Sequence, residues 1–224
     1  ISPSAFTTEI FQSAFRINRE RLIETGYPRN DFLTNYTEED VLNIKKKLGI
    51  PLDKKVLLYA PTWRDNTFKL EVHFDKWQKI LGDEYVIVFK PHYLIVNDFD
   101  IDQYQGFVYF VEANEDISNL YIIADALVTD YSSVFFDYAN LKRPMLFYTY
   151  DIDKYRDVLR GFYIDMEKEL PGPLVYSTKE VIDQIKHLDE MNQKKLLHDG
   201  DKIIIAGFGG GLTWGADVIT WRKK

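Results

Sequence analysis

The chain of 224 residues contains no cysteine. That excludes a disulfide framework, a thiolate nucleophile and a cysteine-ligated metal, and it is compatible with a reducing cytosol. No apolar run approaches the ~20 residues that a membrane-spanning helix needs. Basic charge is not in excess: 28 Lys and Arg against 35 Asp and Glu leave a net charge of −7. A nucleic-acid binder driven by overall charge does not fit that balance. The opening residues Ile1-Ser2-Pro3-Ser4 lack both a Met and a basic-then-apolar signal pattern. They read as a chain already under way, so a fragment of a longer protein is expected. There are only four histidines and none has metal-ligand spacing, so neither a metal nor a cofactor is expected. What the chain does have is 46% hydrophobic and 15% aromatic residues. That is ample for a packed core, and neither disorder nor a coiled coil fits.

Residues 1–50 read as a bridge. Apolar Ile10, Phe11, Ala14 and Phe15 suit a short helix over 8–19, capped by Thr7 or Thr8. Arg16, Arg19, Arg21 and Arg29 make this segment locally basic, as a solvated helix face or as ligand contacts. Thr37-Glu38-Glu39-Asp40 matches a capping start for a helix that ends at Gly49. From Lys55 onward the pattern becomes regular, with apolar strand-like runs at 56–60, 85–89, 107–111, 126–129 and 144–148. Helical stretches at 74–81, 115–124 and from Val134 alternate with them, and Ser177 caps a last helix to about 188. This alternation predicts an α/β fold with a mainly parallel sheet covered on both faces. Ligands in such folds sit outside the carboxyl ends of the strands.

That rule groups three segments. Thr62-Trp63-Arg64 follows the first strand, Lys90-Pro91-His92 the second, and Asp130-Tyr131-Ser132-Ser133 the fourth. The last is a hydroxyl-rich corner between a strand and a helix, where free N–H groups and a positive helix end face an anion. Two cations, an imidazole and a pair of hydroxyls specify a phosphate or diphosphate. Read singly, Arg64 is a surface arginine, Lys90 a strand-end charge, His92 a core histidine and Ser132 or Ser133 a helix cap. The turn at Pro171-Gly172 either lines a ligand pocket or is only a rigid loop.

Ala60-Pro61-Thr62-Trp63-Arg64-Asp65, Lys90-Pro91-His92-Tyr93, the run from Thr129 to Asp137 and Arg160-Gly161-Phe162-Tyr163 together resemble one family. It is the CDP-glycerol glycerophosphotransferase family, the teichoic acid primases and polymerases of Gram-positive bacteria. The similarity runs from residue 1 to about 190. It implies a Rossmann-like parallel sheet forming the C-terminal half of a GT-B glycosyltransferase-type fold. It also implies an enzyme that takes CDP-glycerol (CDP-ribitol in some members) as donor. Glycerol phosphate would pass to a polyol-phosphate or lipid-linked acceptor with release of CMP. By position in the matching motifs, Arg64, Ser132 and Ser133 would hold the donor diphosphate. Thr62, Trp63, Lys90, Asp130, Asp137, Pro171 and Gly172 would complete the donor site. His92 would stabilise or protonate the leaving phosphate as the catalytic residue. The resemblance places the parent enzyme in the cytoplasm, peripheral on the inner face of the plasma membrane. An acceptor domain, with a second histidine acting as base, lies outside this chain, so the fragment alone is expected to be inactive.

The tail is different. Residues 200–216, with five glycines between Gly207 and Gly215, resemble the C-terminus of β-ketoacyl-acyl-carrier-protein synthase III. The cysteine nucleophile of that enzyme has no counterpart here. Physically the tail reads as two strands, 202–206 and 217–221, around a glycine-rich connection. The expected organisation is therefore a bridge over 1–50, a donor-binding domain over 51–190 and a β-hairpin tail over 191–224. Two other functions share the corner: a GT-B glycosyltransferase using another nucleotide sugar, and a donor-binding module without activity of its own.

Overall fold

The computed structural model describes residues 1–62, 71–91, 101–112, 114–156, 165–188, 202–208 and 214–220. Among these, short runs rich in Val, Ile, Leu and aromatics form a six-stranded sheet. The strands are β1 (Lys55–Ala60), β2 (Tyr85–Phe89), β3 (Val108–Phe110), β4 (Ala126–Thr129), β5 (Met145–Tyr148) and β6 (Leu174–Val175). Their spatial order is β3-β2-β1-β4-β5-β6, and neighbours pair in parallel throughout. The helices are α1 (Ala5–Ala14), α2 (Phe32–Asn35), α3 (Glu38–Lys47), α4 (Phe74–Leu81), α5 (Ile117–Ile123), α6 (Val134–Tyr138), α7 (Ile152–Lys154), α8 (Met166–Glu169) and α9 (Thr178–Lys186).

Side chains alternate across a strand, so the buried runs feed two cores. Val56, Leu58, Val88, Leu127 and Phe147 pack on one face with residues of α3, α5 and α6. Leu57, Tyr59, Phe89, Val128 and Leu146 pack on the other with α4 and α9. Continuous apolar strands are what two covered faces require. The chain lays β1, β2 and β3 outward in one direction, then returns to place β4 on the free side of β1. That reversal is a topological switch point, where α/β sheets hold their ligands. Ala60 lies opposite Thr129 across it.

Several elements differ from expectation. Helix α1 begins at Ala5, three residues early, because Ser4 takes the cap in place of Thr7 or Thr8. Ser4 Oγ accepts a hydrogen bond from the Thr7 amide at 3.0 Å, and Thr8 Oγ1 donates to the Ser4 carbonyl at 2.8 Å. The helix stops at Ala14, short of the expected Arg19, and Arg16 just beyond has a left-handed φ of +52°. The start of α3 is as read: Thr37 Oγ1 and the Asp40 carboxylate form a reciprocal capping box. Leu33, Ile44 and Ile50 are buried with the sheet residues, so residues 33–50 contribute to the core as well as leading into it. Strand β6 is added to the five that the sequence suggested. The tail forms β7 (Lys202–Phe208) and β8 (Trp214–Thr220), an antiparallel pair separate from the main sheet.

Candidate active site

The corner after β4 is bolted to its neighbours before any ligand is considered. Thr129 Oγ1 donates to the Ala60 carbonyl at 2.7 Å, tying the ends of β4 and β1 together. Asp130 is 2% exposed. Its Oδ1 accepts from the Thr62 amide at 2.8 Å and from the Tyr131 amide at 2.6 Å. One buried carboxylate oxygen therefore fixes both the loop after β1 and the first residue of the corner. On the other side the Tyr131 hydroxyl donates to Asp151 Oδ1 at 2.9 Å. The Tyr131 ring stacks on Tyr155 with centroids 4.0 Å apart. The corner thus spans the ends of β1 and β4 and the connection that follows β5.

The two serines at its tip are bonded differently from ordinary caps. Ser133 occupies the cap position of α6 and makes no side-chain capping hydrogen bond. Ser132 Oγ only reaches the Val134 amide at 3.5 Å, at the limit of a hydrogen bond. Both residues are half-buried. The capping alternative thus accounts for little of what these hydroxyls do. They sit at the head of α6, and among the described residues their donor capacity is largely unused.

Other nominated residues sit elsewhere. Lys90 follows β2 on the same sheet edge, but its ammonium donates to the backbone carbonyls of Glu112 and Glu115. Burial depresses its pKa, and the charge of Glu115 partly offsets this. Lys90 thus pins the β3–α5 connection, on the far side of β1 from the serine corner. Asp137 is bonded from the N-terminal segment. Its carboxylate accepts from Arg29 Nη2 at 3.0 Å and from Asn30 Nδ2 at 2.8 Å. Arg29 also lies over the Tyr27 ring at 4.4 Å. The basic segment therefore reaches the corner through Arg29, and Asp137 holds that segment against α6. The Asp137 carboxylate is thus engaged by a guanidinium and a side-chain amide.

Pro171 and Gly172 precede β6 and are level with the start of β5, away from the carboxyl edge. A Cβ on Gly172 would lie 2.1 Å from the Met145 carbonyl oxygen, so close backbone packing accounts for the glycine. Trp63, Arg64 and His92 lie outside the described residues, as does Arg160-Gly161-Phe162-Tyr163. Sequence reasoning missed the pairings of Tyr131 with Asp151 and of Arg29 with Asp137. Only the presence of chemically matched residues hinted at either. No helix among the described residues is long and apolar enough to cross a membrane.

Residues 1–199 match the model of CDP-Glycerol:Poly(glycerophosphate) glycerophosphotransferase. Residues 180–221 match that of the 3-oxoacyl-acyl-carrier-protein synthase III C terminal. A teichoic acid poly(glycerol phosphate) polymerase of Bacillus subtilis (strain 168) is 51% identical, covering 87% of this chain and 27% of the polymerase. A teichoic acid glycerol-phosphate transferase of Staphylococcus aureus is 51% identical, covering 85% of this chain and 51% of the transferase. The solved wall teichoic acid polymerase TagF is similar at a TM-score of 0.81 and 46% identity, over 87% of this chain and 49% of that one. A variant of TagF soaked with CDPG superposes at 0.79. The chain spans between a quarter and about half of these relatives' lengths. The Rossmann-like sheet of a GT-B-type half is present, and the chain belongs to the CDP-glycerol:poly(glycerophosphate) glycerophosphotransferase family.

Proposed function

We propose that this chain is the donor-binding half of a glycerophosphotransferase of teichoic acid synthesis, with CDP-glycerol as donor. The observation that carries the reading is the serine corner at the switch point. Its backbone is fixed from both sides, while the hydroxyls of Ser132 and Ser133 remain available to an anion. The relatives named for glycerol phosphate and the CDPG-soaked variant support this choice of donor.

In this reading the donor diphosphate lies across the corner, with Ser132 and Ser133 donating to its oxygens and Arg64 neutralising charge. An acceptor hydroxyl supplied with the rest of the protein attacks the phosphorus that bears glycerol. The new P–O bond forms as the diphosphate P–O bond breaks, and CMP leaves. The acceptor's proton goes to a base outside this chain. His92 protonates or stabilises the departing phosphate. Phosphoryl transfer consists largely of such positioning and charge stabilisation, so donors fixed in advance contribute most. The transferase activity, its polyol-phosphate acceptor and a place on the inner membrane face belong to the same proposal.

Calorimetry on the chain with CDP-glycerol, CDP-ribitol, UDP-glucose and CMP tests the donor. CDP-glycerol should bind tightest. Ser132→Ala with Ser133→Ala should weaken it, each lost bond to a charged oxygen being worth roughly 1.5–3 kcal/mol. Unchanged affinity in that double variant removes the corner from the site. With the acceptor portion present, His92→Ala should lower kcat by about 10²–10⁴-fold and donor affinity far less. Near-normal turnover would return His92 to the scaffold.

A further inference from the structure

Among the described residues the two serines have no strong anchor of their own, and their position is set by the residues that flank them. Asp130 supplies one anchor, toward β1. Tyr131 supplies the other. It is 9% exposed and belongs to a small cluster with Tyr155 and Met166, separate from the two sheet cores. A phenylalanine would fill that cluster equally well. The hydroxyl adds a bond to the Asp151 carboxylate, and bonds to an ionised acceptor are roughly twice as strong as neutral ones. Asp151 is itself fixed, since its carbonyl accepts from the Tyr155 amide at 3.0 Å. The ring stacked on Tyr131 is that same Tyr155, so ring and hydroxyl grip one short segment, residues 151–155.

We propose that Tyr131 is a positioning residue of the donor site, holding the Ser132-Ser133 corner in its binding geometry through the hydrogen bond to Asp151 and the stack on Tyr155. Donor affinity then depends on a bond that touches no donor atom. The bond removes motion from the corner before the diphosphate arrives, and preorganisation of this kind raises affinity by lowering the ordering cost of binding. The inference rests on the reading that the corner holds the donor.

The test is calorimetric titration of the 224-residue chain with CDP-glycerol, alongside thermal unfolding. Tyr131→Phe and Asp151→Ala should each weaken binding about tenfold. The double variant should be no weaker than Asp151→Ala alone, because Tyr131→Phe then has no bond to Asp151 left to remove. Tyr138→Phe is the control for a merely structural loss. Its hydroxyl donates to the Ala124 carbonyl at 3.0 Å within the core, so the variant should lower Tm and leave affinity alone. Affinity unchanged in Tyr131→Phe overturns the proposal, as do losses that multiply in the double variant. If Ser132→Ala with Ser133→Ala leaves affinity unchanged, the donor reading fails and the proposal with it. A weakened serine variant beside an unaffected Tyr131→Phe overturns the positioning role alone.

Discussion

Gly172→Ala separates packing from ligand contact at a position that the sequence assigned to the donor site. The added Cβ would sit 2.1 Å from the Met145 carbonyl oxygen and 3.0 Å from its carbon, with the Phe147 ring at 3.4 Å. The two nearest atoms are backbone of β5 and cannot rotate away. Relief requires the 171–173 turn to retreat by about an ångström, the usual cost of overpacking being roughly 1–3 kcal/mol. That retreat stretches the bond from the Phe147 amide to the Pro173 carbonyl, now 3.0 Å, and loosens the one from the Thr149 amide to Val175, now 2.8 Å. Each such bond contributes about 0.5–1.5 kcal/mol net. A destabilisation of about 2 kcal/mol is expected, a large share of a total stability near 5–15 kcal/mol. The sign is decisive. Gly172 is not at positive φ, so without the clash an alanine should stabilise by about 0.4–1 kcal/mol through the unfolded chain. Urea denaturation of the ligand-free chain, followed by far-UV circular dichroism, reads the difference. A midpoint that rises in Gly172→Ala refutes the packing argument and returns the glycine to the ligand.

Arg29→Ala and Asp137→Ala should couple by about 0.5–1 kcal/mol in a denaturation cycle, since Arg29 is largely exposed; purely additive effects would mean the bridge contributes nothing. Thr149 has a buried hydroxyl with no hydrogen-bond partner among the described residues, so Thr149→Val should raise stability by about 1 kcal/mol, and a fall would reveal a partner. Hydrogen bonds from Lys47 and Asn119 hold the Glu115 carboxyl below its ordinary 4.5. Its contribution is therefore complete above that pH and is lost as pH falls through the lower folded value. Glu115→Gln should flatten the acid limb of the stability curve and leave the slope near neutrality alone; an unchanged acid limb would dismiss the pairing. Deleting 198–224 should leave one cooperative transition for the six-stranded sheet, because among the described residues β7 and β8 pair as strands with each other and reach the rest of the chain through α1 and α6 rather than through a strand of that sheet. Loss of that cooperativity would show the hairpin to be part of the core.

The strands were legible because a two-faced parallel sheet forces unbroken apolar runs, and few other environments tolerate one such as Val56-Leu57-Leu58-Tyr59. The start of α1 was not legible. Ser4, Thr7 and Thr8 are all competent caps, and the choice among them follows from burial of both threonines, which no local pattern records. Strand β6 escaped for a related reason. Two residues have no periodicity, and Leu174–Val175 is a strand only because β5 offers an unpaired edge.

The candidate site divides along the same line. Thr62, Lys90 and the serine corner all follow parallel strands and so share one sheet edge, since register alone decides that, while Arg64 and His92 lie outside the described residues. What each charge does there depends on partners far away in sequence: Asp137 bonds a residue 108 positions upstream, and Lys90 bonds a carbonyl 22 positions downstream. A motif is inherited as a unit, so the acids that hold a corner and the hydroxyls that meet a ligand travel together within it. Spacing cannot tell one from the other. Hydrogen bonding can, because a carboxylate whose oxygens are already filled by amides or a guanidinium is scaffold. A hydroxyl left without a strong partner beside it is where an incoming anion gains the most.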